Sequence, residues 1–93
     1  MKIHLDFKGV PILYKTLRNE KEMKFEFSGE ILRELIDSLI KKYGLTLKKA
    51  LLDNQGNVDM EIRVILNKEI YLTGDRMCTS LHDGDTLAFK GAS

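Results

Sequence analysis

Hydrophobic and polar residues alternate in several short segments of the chain, a pattern typical of β-strands with one buried face. The first of these segments places Ile3, Leu5 and Phe7 on one side and polar residues on the other. Turn-forming residues such as glycine and asparagine separate the segments. The pattern predicts strands over 2–7, 23–27, 60–66, 70–72 and 86–89.

One segment, 30–43, has instead the three- and four-residue spacing of an amphipathic helix. Its apolar stripe consists of Ile31, Leu32, Leu35, Ile36, Leu39, Ile40 and Tyr43. Ser28 is the predicted N-cap, and Gly44 is predicted to close the helix in the left-handed conformation. The composition of 46–52 predicts one or two further helical turns. The mixed composition of 12–22 predicts a loop that can include a helical turn. This order predicts an α+β fold, in which one main helix packs on one face of a mixed four- to five-stranded sheet.

Composition narrows the classes of function. A chain of 93 residues predicts a single domain over 1–93, and 43% hydrophobic with 31% charged residues is typical of soluble globular proteins. The net charge of +1 and interspersed charges predict no nucleic-acid partner. No apolar run approaches the roughly 20 residues that span a bilayer, and the start of the chain does not resemble a signal peptide. We therefore expect a cytoplasmic protein without a membrane partner, monomeric when free.

Candidate chemistry is sparse. Cys78 has no second cysteine, so we interpret it as a bystander thiol rather than a persulfide or disulfide partner. His82, Asp83 and Asp85 offer metal-ligand atoms, but aspartates are also typical of tight turns, and no second ligand cluster accompanies them. No Ser/His/Asp set, phosphate-binding loop or Cys-x-x-Cys motif is present. We expect no catalytic residues, no metal, no cofactor and no independent enzymatic activity.

The end of the chain carries the most specific motif, Leu81-x-Asp83-Gly84-Asp85-x-Leu87, a tight turn that leads into the last strand. The order of elements, the helix ending Lys42-Tyr43-Gly44 and the strand Val64-Ile65-Leu66-Asn67 accompany it. Together they resemble the ubiquitin-like β-grasp sulfur carriers, namely the small subunit of molybdopterin synthase and the thiamine-pathway carrier. The resemblance covers nearly the whole chain and implies the ubiquitin-like β-grasp fold.

The resemblance also implies a function at the C-terminal tail. In that family an E1-like enzyme adenylates a terminal Gly-Gly, and the resulting thiocarboxylate donates sulfur to a precursor held by a larger subunit. The corresponding tail here is Lys90-Gly91-Ala92-Ser93, an ending that argues against thiocarboxylate chemistry. The implied partner is an E1-like adenylating enzyme or a protein like the molybdopterin synthase large subunit, in molybdenum cofactor or thiamine-type sulfur transfer.

The exposed face of the sheet is a second candidate site, because β-grasp relatives dock partners there. If the alternate residues Val64, Leu66, Leu87 and Phe89 point to the core, then Arg63, Ile65, Ala88 and Lys90 point outward. We expect Ile65 and Ala88 to be exposed apolar positions. We take Arg63, Ile65, Ala88 and Phe89 as candidate partner-binding residues. An alternative function is a non-conjugating ubiquitin-like module that uses this face without covalent chemistry.

Overall fold

The computed structural model describes residues 1–72 and 74–91, which form one five-stranded mixed sheet and three helices. The elements follow the order β1 (Lys2–Gly9), α1 (Pro11–Thr16), β2 (Glu22–Glu26), α2 (Leu32–Tyr43), α3 (Leu45–Leu51), β3 (Ile62–Leu66), β4 (Ile70–Leu72) and β5 (Thr86–Gly91). The strand order is β2-β1-β5-β3-β4, in which β1 and β5 are parallel and the other pairs antiparallel. The predicted α+β class, with a mixed sheet and one long helix, is confirmed.

The hydrophobic core lies between the sheet and the helices. The apolar stripe of α2 contributes Leu35, Ile36 and Leu39, none of which is exposed to solvent. Alternate residues of the strands face this stripe, and burial of their apolar surface is the main contribution to folding. No helix in the described part of the chain has both the length and the apolar character needed to cross a membrane.

Two short helices accompany the predicted main helix. α1 begins at Pro11, where the missing N–H of proline costs no hydrogen bond, and it buries Leu13. α3 follows α2 directly and buries Leu47 and Leu51. The prediction of a loop with a helical turn over 12–22 agrees with α1 and the turn that follows it, but the bounds of the helix were not predicted. Six residues are too few for helical periodicity to stand out in a sequence, since less than two turns is sampled.

The beginning of α2 also differs from the prediction. The helix starts at Leu32, and Ser28 makes no capping hydrogen bond in the described structure. Instead the Glu34 carboxylate accepts the backbone N–H groups of Glu30 at 3.0 Å and Ile31 at 3.3 Å. Backbone carbonyls of Met77 and Thr79 accept the next free N–H groups. A loop distant in the sequence thus supplies part of the cap. At the other end Gly44 closes the helix with the predicted positive φ of +91°, but its ψ of −171° differs from that of the left-handed helical conformation.

Two strand boundaries differ from those that the alternation predicts. β3 begins at Ile62, and Met60 lies outside it with 89% of its surface exposed. β5 extends beyond Phe89 to Gly91, because Lys90 pairs with Arg63 on one side and with Gly9 on the other. The register between β1 and β5 shifts by one residue between Asp6 and Gly9.

Candidate functional site: the outer face of the sheet

We define the outer face as the side of the sheet opposite the helices. Its central row crosses four strands through residues paired directly opposite one another, Asp6, Ala88, Ile65 and Tyr71. Each of these residues is next to at least one core residue of its own strand, and successive side chains of a strand alternate between the two faces, so the four side chains emerge on the same side. The row is apolar from β5 to β4, which makes this half of the face the natural place for an apolar contact.

Ile65 and Ala88 are less accessible than predicted. Ile65 is 5% exposed and Ala88 9% exposed, although neither belongs to the core cluster between sheet and helices. Both lie on the inner strands β3 and β5, which have another strand on each side. The expectation that these two apolar positions are exposed was wrong. The alternation predicts the face of the sheet to which a side chain points, but not how far its neighbours cover it.

Tyr71 provides the accessible part of the row. Its side chain is 65% exposed, and it lies directly opposite Ile65. A cavity of about 460 Å³ opens next to Tyr71 and Arg63, and its lining combines apolar residues such as Val58 and Leu72 with the carboxylates of Asp53, Asp59 and Asp75. The sequence reasoning missed Tyr71. The signal was present, because Tyr71 alternates with Ile70 and Leu72 in the predicted short strand.

Two cations lie directly opposite each other beside this row. Arg63 on β3 pairs in register with Lys90 on β5, and both residues are exposed. Neither forms a salt bridge with any residue in the described ranges. Like charges directly opposite each other destabilise a sheet, so the fold gains nothing from this pair.

Several charged side chains on the other half of the outer face form ion pairs. On β2 the Glu22 carboxylate lies 3.4 Å from His4 Nε2 and 3.3 Å from Lys8 Nζ, and Lys8 Nζ is 4.0 Å from Asp6 Oδ2. All four side chains are at least partly exposed, so these pairs contribute little stability. Arg63 and Lys90 differ from the cations of this half because they lie directly opposite each other.

Phe89 does not belong to the outer face. It is fully buried, and its ring stacks on Phe7 with the ring centroids 4.8 Å apart. Including Phe89 among the partner-binding residues was an error, since the alternation that directs Ala88 outward directs Phe89 into the core.

The candidate tail divides into two parts. Lys90 and Gly91 belong to β5, where they pair with Arg63 and Ile62. Ala92 and Ser93 lie outside the described residues. Among the described residues, a Cβ on Gly91 would contact only the Gly9 carbonyl oxygen, at an ordinary 3.7 Å, so steric crowding does not require glycine at this position.

The Asp83-Gly84-Asp85 turn uses its carboxylates to hold strands together. Asp83 Oδ1 accepts the backbone N–H of Lys2 at 2.7 Å. Asp85 accepts the Asn67 side-chain amide at 3.0 Å and the His82 backbone N–H at 2.9 Å. Gly84 has φ +88°, a conformation that favours glycine. These hydrogen bonds explain why aspartate stands at both positions.

The candidate metal-ligating side chains do not form a cluster in the described structure. Within residues 1–72 and 74–91, no three His, Cys, Asp or Glu side chains are arranged to hold a metal ion. Cys78 is a free, exposed thiol in the loop between β4 and β5. The described site thus contains an apolar row, an exposed tyrosine and two unneutralised cations, which are groups that bind rather than react.

Comparison with known proteins establishes the fold. No family model matches the chain, and no curated protein matches it. Among solved structures, SAMP1 from Haloferax volcanii superposes with a TM-score of 0.76 at 14% identity, covering 100% of this chain and 97% of that one. A chain of the Amycolatopsis orientalis BexX/CysO complex superposes with a TM-score of 0.75 at 22% identity, covering 98% of this chain and 96% of that one.

A third solved structure is a putative molybdopterin converting factor, subunit 1, from Pyrococcus furiosus. It gives a TM-score of 0.68 at 19% identity and covers 100% of this chain and 99% of that one. The three structures share the whole fold with this chain. The resemblance to ubiquitin-like β-grasp sulfur carriers is thereby confirmed at the level of the fold.

Proposed function

We propose that this chain is the small, non-catalytic partner of a larger enzyme, and that it docks through the outer face of its sheet. The observation that carries the proposal is the directly opposed pair Arg63 and Lys90, which has no carboxylate partner in the described structure and lies beside the apolar row ending at Tyr71. The repulsion between these two cations lowers the stability of the free protein. A bound partner that neutralises them would offset this loss, which would account for the pair.

A partner with carboxylates opposite Arg63 and Lys90 would remove their repulsion and speed association by electrostatic steering. Tyr71 would supply the apolar anchor, because exposed tyrosines bury a large area with few rotatable bonds and are enriched among binding hot spots. The cavity beside Tyr71, whose lining is both apolar and acidic, offers space for a side chain of the partner.

Sulfur transfer of the molybdopterin or thiamine type is the pathway class we propose, with a cytoplasmic location. Support comes from the fold shared with the putative molybdopterin converting factor and with CysO, which was crystallised in complex with BexX. The proposed partner is an E1-like adenylating enzyme or a protein like the molybdopterin synthase large subunit.

Binding of these two purified partners to Tyr71→Ala and Arg63→Glu variants tests the proposal, with affinities measured by calorimetry. We expect each variant to bind at least about tenfold more weakly, the size of effect typical of an interface hot spot. Lys15→Glu is the matched control, because Lys15 is an exposed cation on α1, on the helical side of the sheet. If both outer-face variants bind as tightly as the unaltered chain, docking through this face is wrong.

A non-conjugating binding module is the second candidate function. The pairing of Lys90 and Gly91 within β5 favours it, because a strand residue is not free to enter the channel of an adenylating enzyme. An adenylation assay with the E1-like enzyme separates the two functions. Formation of an adenylate supports sulfur carriage, whereas tight binding without an adenylate supports the non-conjugating module.

A further inference from the structure

A second charged surface lies on the helical side of the molecule, where α2 meets α3. The segment 41–49 contains Lys41, Lys42, Lys48 and Lys49 and no acidic residue. It therefore carries +4, while the rest of the chain, with 11 basic and 14 acidic residues, carries −3. We call these four lysines together with Leu45 the α2–α3 corner.

Three of the four lysines have no intramolecular partner in the described ranges. Lys41 lies one helical turn after Asp37, but the two side chains form no salt bridge in the described structure. Asp53, the acidic residue that lines the same groove as Lys48 and Lys49, directs Oδ1 to two backbone N–H groups of its own loop. Only Lys42 is engaged, with Nζ 5.4 Å from the Tyr43 ring centroid and 5.9 Å from that of Phe25.

Leu45 stands among these lysines and is 68% exposed. The other leucines at the start and end of α3, Leu47 and Leu51, are fully buried. Lysine in the last turn of a helix offsets the helix dipole, which accounts for a lysine at the end of each helix. The dipole does not account for an exposed leucine in the centre of a segment without acidic residues.

We propose that the α2–α3 corner docks an acidic surface of a protein partner, with Leu45 entering an apolar recess of that surface. Charge complementarity selects the partner, since an acidic surface is attracted to the +4 segment and repelled by the remainder. One apolar side chain is enough for an interface anchor but too little for membrane insertion, which requires a whole apolar helix face. Because the helices pack on the opposite side of the sheet from the outer face, this surface is distinct from the one in the proposed function.

Amide NMR spectra of the isotope-labelled full chain test the proposal. The probe is a synthetic peptide in which glutamates flank a central leucine and phenylalanine, compared with a peptide of glutamates only. We expect the first peptide to shift the amide signals of residues 41–49 and the second to shift them less. Lys48→Glu/Lys49→Glu should remove the shifts, and Leu45→Ala should reduce them without loss of stability.

Lys15→Glu/Lys24→Glu is the control, because it changes the net charge equally at two exposed lysines without salt bridges in the described residues. Equal loss of binding in this control would overturn the proposal, as would shifts centred on Arg63 and Lys90 or no shifts at all. Tighter binding of an oligonucleotide or of phosphatidylserine vesicles would also overturn it. Shifts centred on Arg63 and Lys90 would instead support docking through the outer face, and the other outcomes leave that proposal unaffected.

Discussion

Strands β3 and β5 have two faces built from alternating residues of the same short segments, and the two faces differ in what they contribute. The inner face contains Val64, Leu87 and Phe89, which are at most 1% exposed and belong to the main core. The outer face contains a covered Ile65 next to the directly opposed cations Arg63 and Lys90. The inner face stabilises the fold, whereas the outer face retains an unfavourable charge arrangement that folding does not require.

The largest effect is expected on the inner face. Phe89→Ala should lower the free energy of unfolding by about 3–5 kcal/mol, because it removes a fully buried ring stacked on Phe7 and leaves a cavity. Urea denaturation followed by circular dichroism measures the loss. Phe89→Leu retains much of the apolar volume and should cost less. A loss of only a few tenths of a kcal/mol in Phe89→Ala would place this residue outside the core and remove the contrast between the faces.

An intermediate effect is expected at the turn before β5, where polar side chains do stabilise the fold. Asp85 is 15% exposed at its side chain and accepts hydrogen bonds from Asn67 and His82. Asp85→Ala should cost about 1–3 kcal/mol, since it leaves both donors without their acceptor. The comparison is Asp37→Ala, which alters an exposed helical carboxylate. Equal stability of the two variants would show that the turn does not depend on these hydrogen bonds.

These contrasts also explain how much the sequence predicts. Alternation and helical spacing are periodic, so they identify the strands, the long helix and the side to which Val64 or Leu87 points. They do not predict solvent accessibility, which depends on how far the neighbouring strands and their side chains cover a residue. For this reason Ile65 was expected to be exposed although it is covered, and Tyr71, the accessible member of the same row, was overlooked.

Features that depend on distant segments could not be predicted from local patterns. The N-terminus of α2 is completed by carbonyls of Met77 and Thr79, some 45 residues away in the chain, which no capping motif encodes. The opposition of Arg63 and Lys90 depends on the register between β3 and β5, and register is set by the whole sheet. The candidate site emerged only when the strand order and register brought these residues together.

The smallest effect on stability is expected from the substitution that discriminates most sharply between the two faces. Lys90→Glu replaces a repulsion with an attraction to Arg63, so it should raise the free energy of unfolding by about 0.2–1 kcal/mol. Lys90→Gln removes only the repulsion and should give a smaller gain, and added salt should diminish both gains by screening. Thermal unfolding at low and high ionic strength measures these differences.

If the outer face serves binding, Lys90→Glu should also weaken association with the larger partner, so that stability and affinity change in opposite directions. A variant that lost both stability and affinity would show that Lys90 supports the fold directly, and the inner and outer faces would no longer differ in kind.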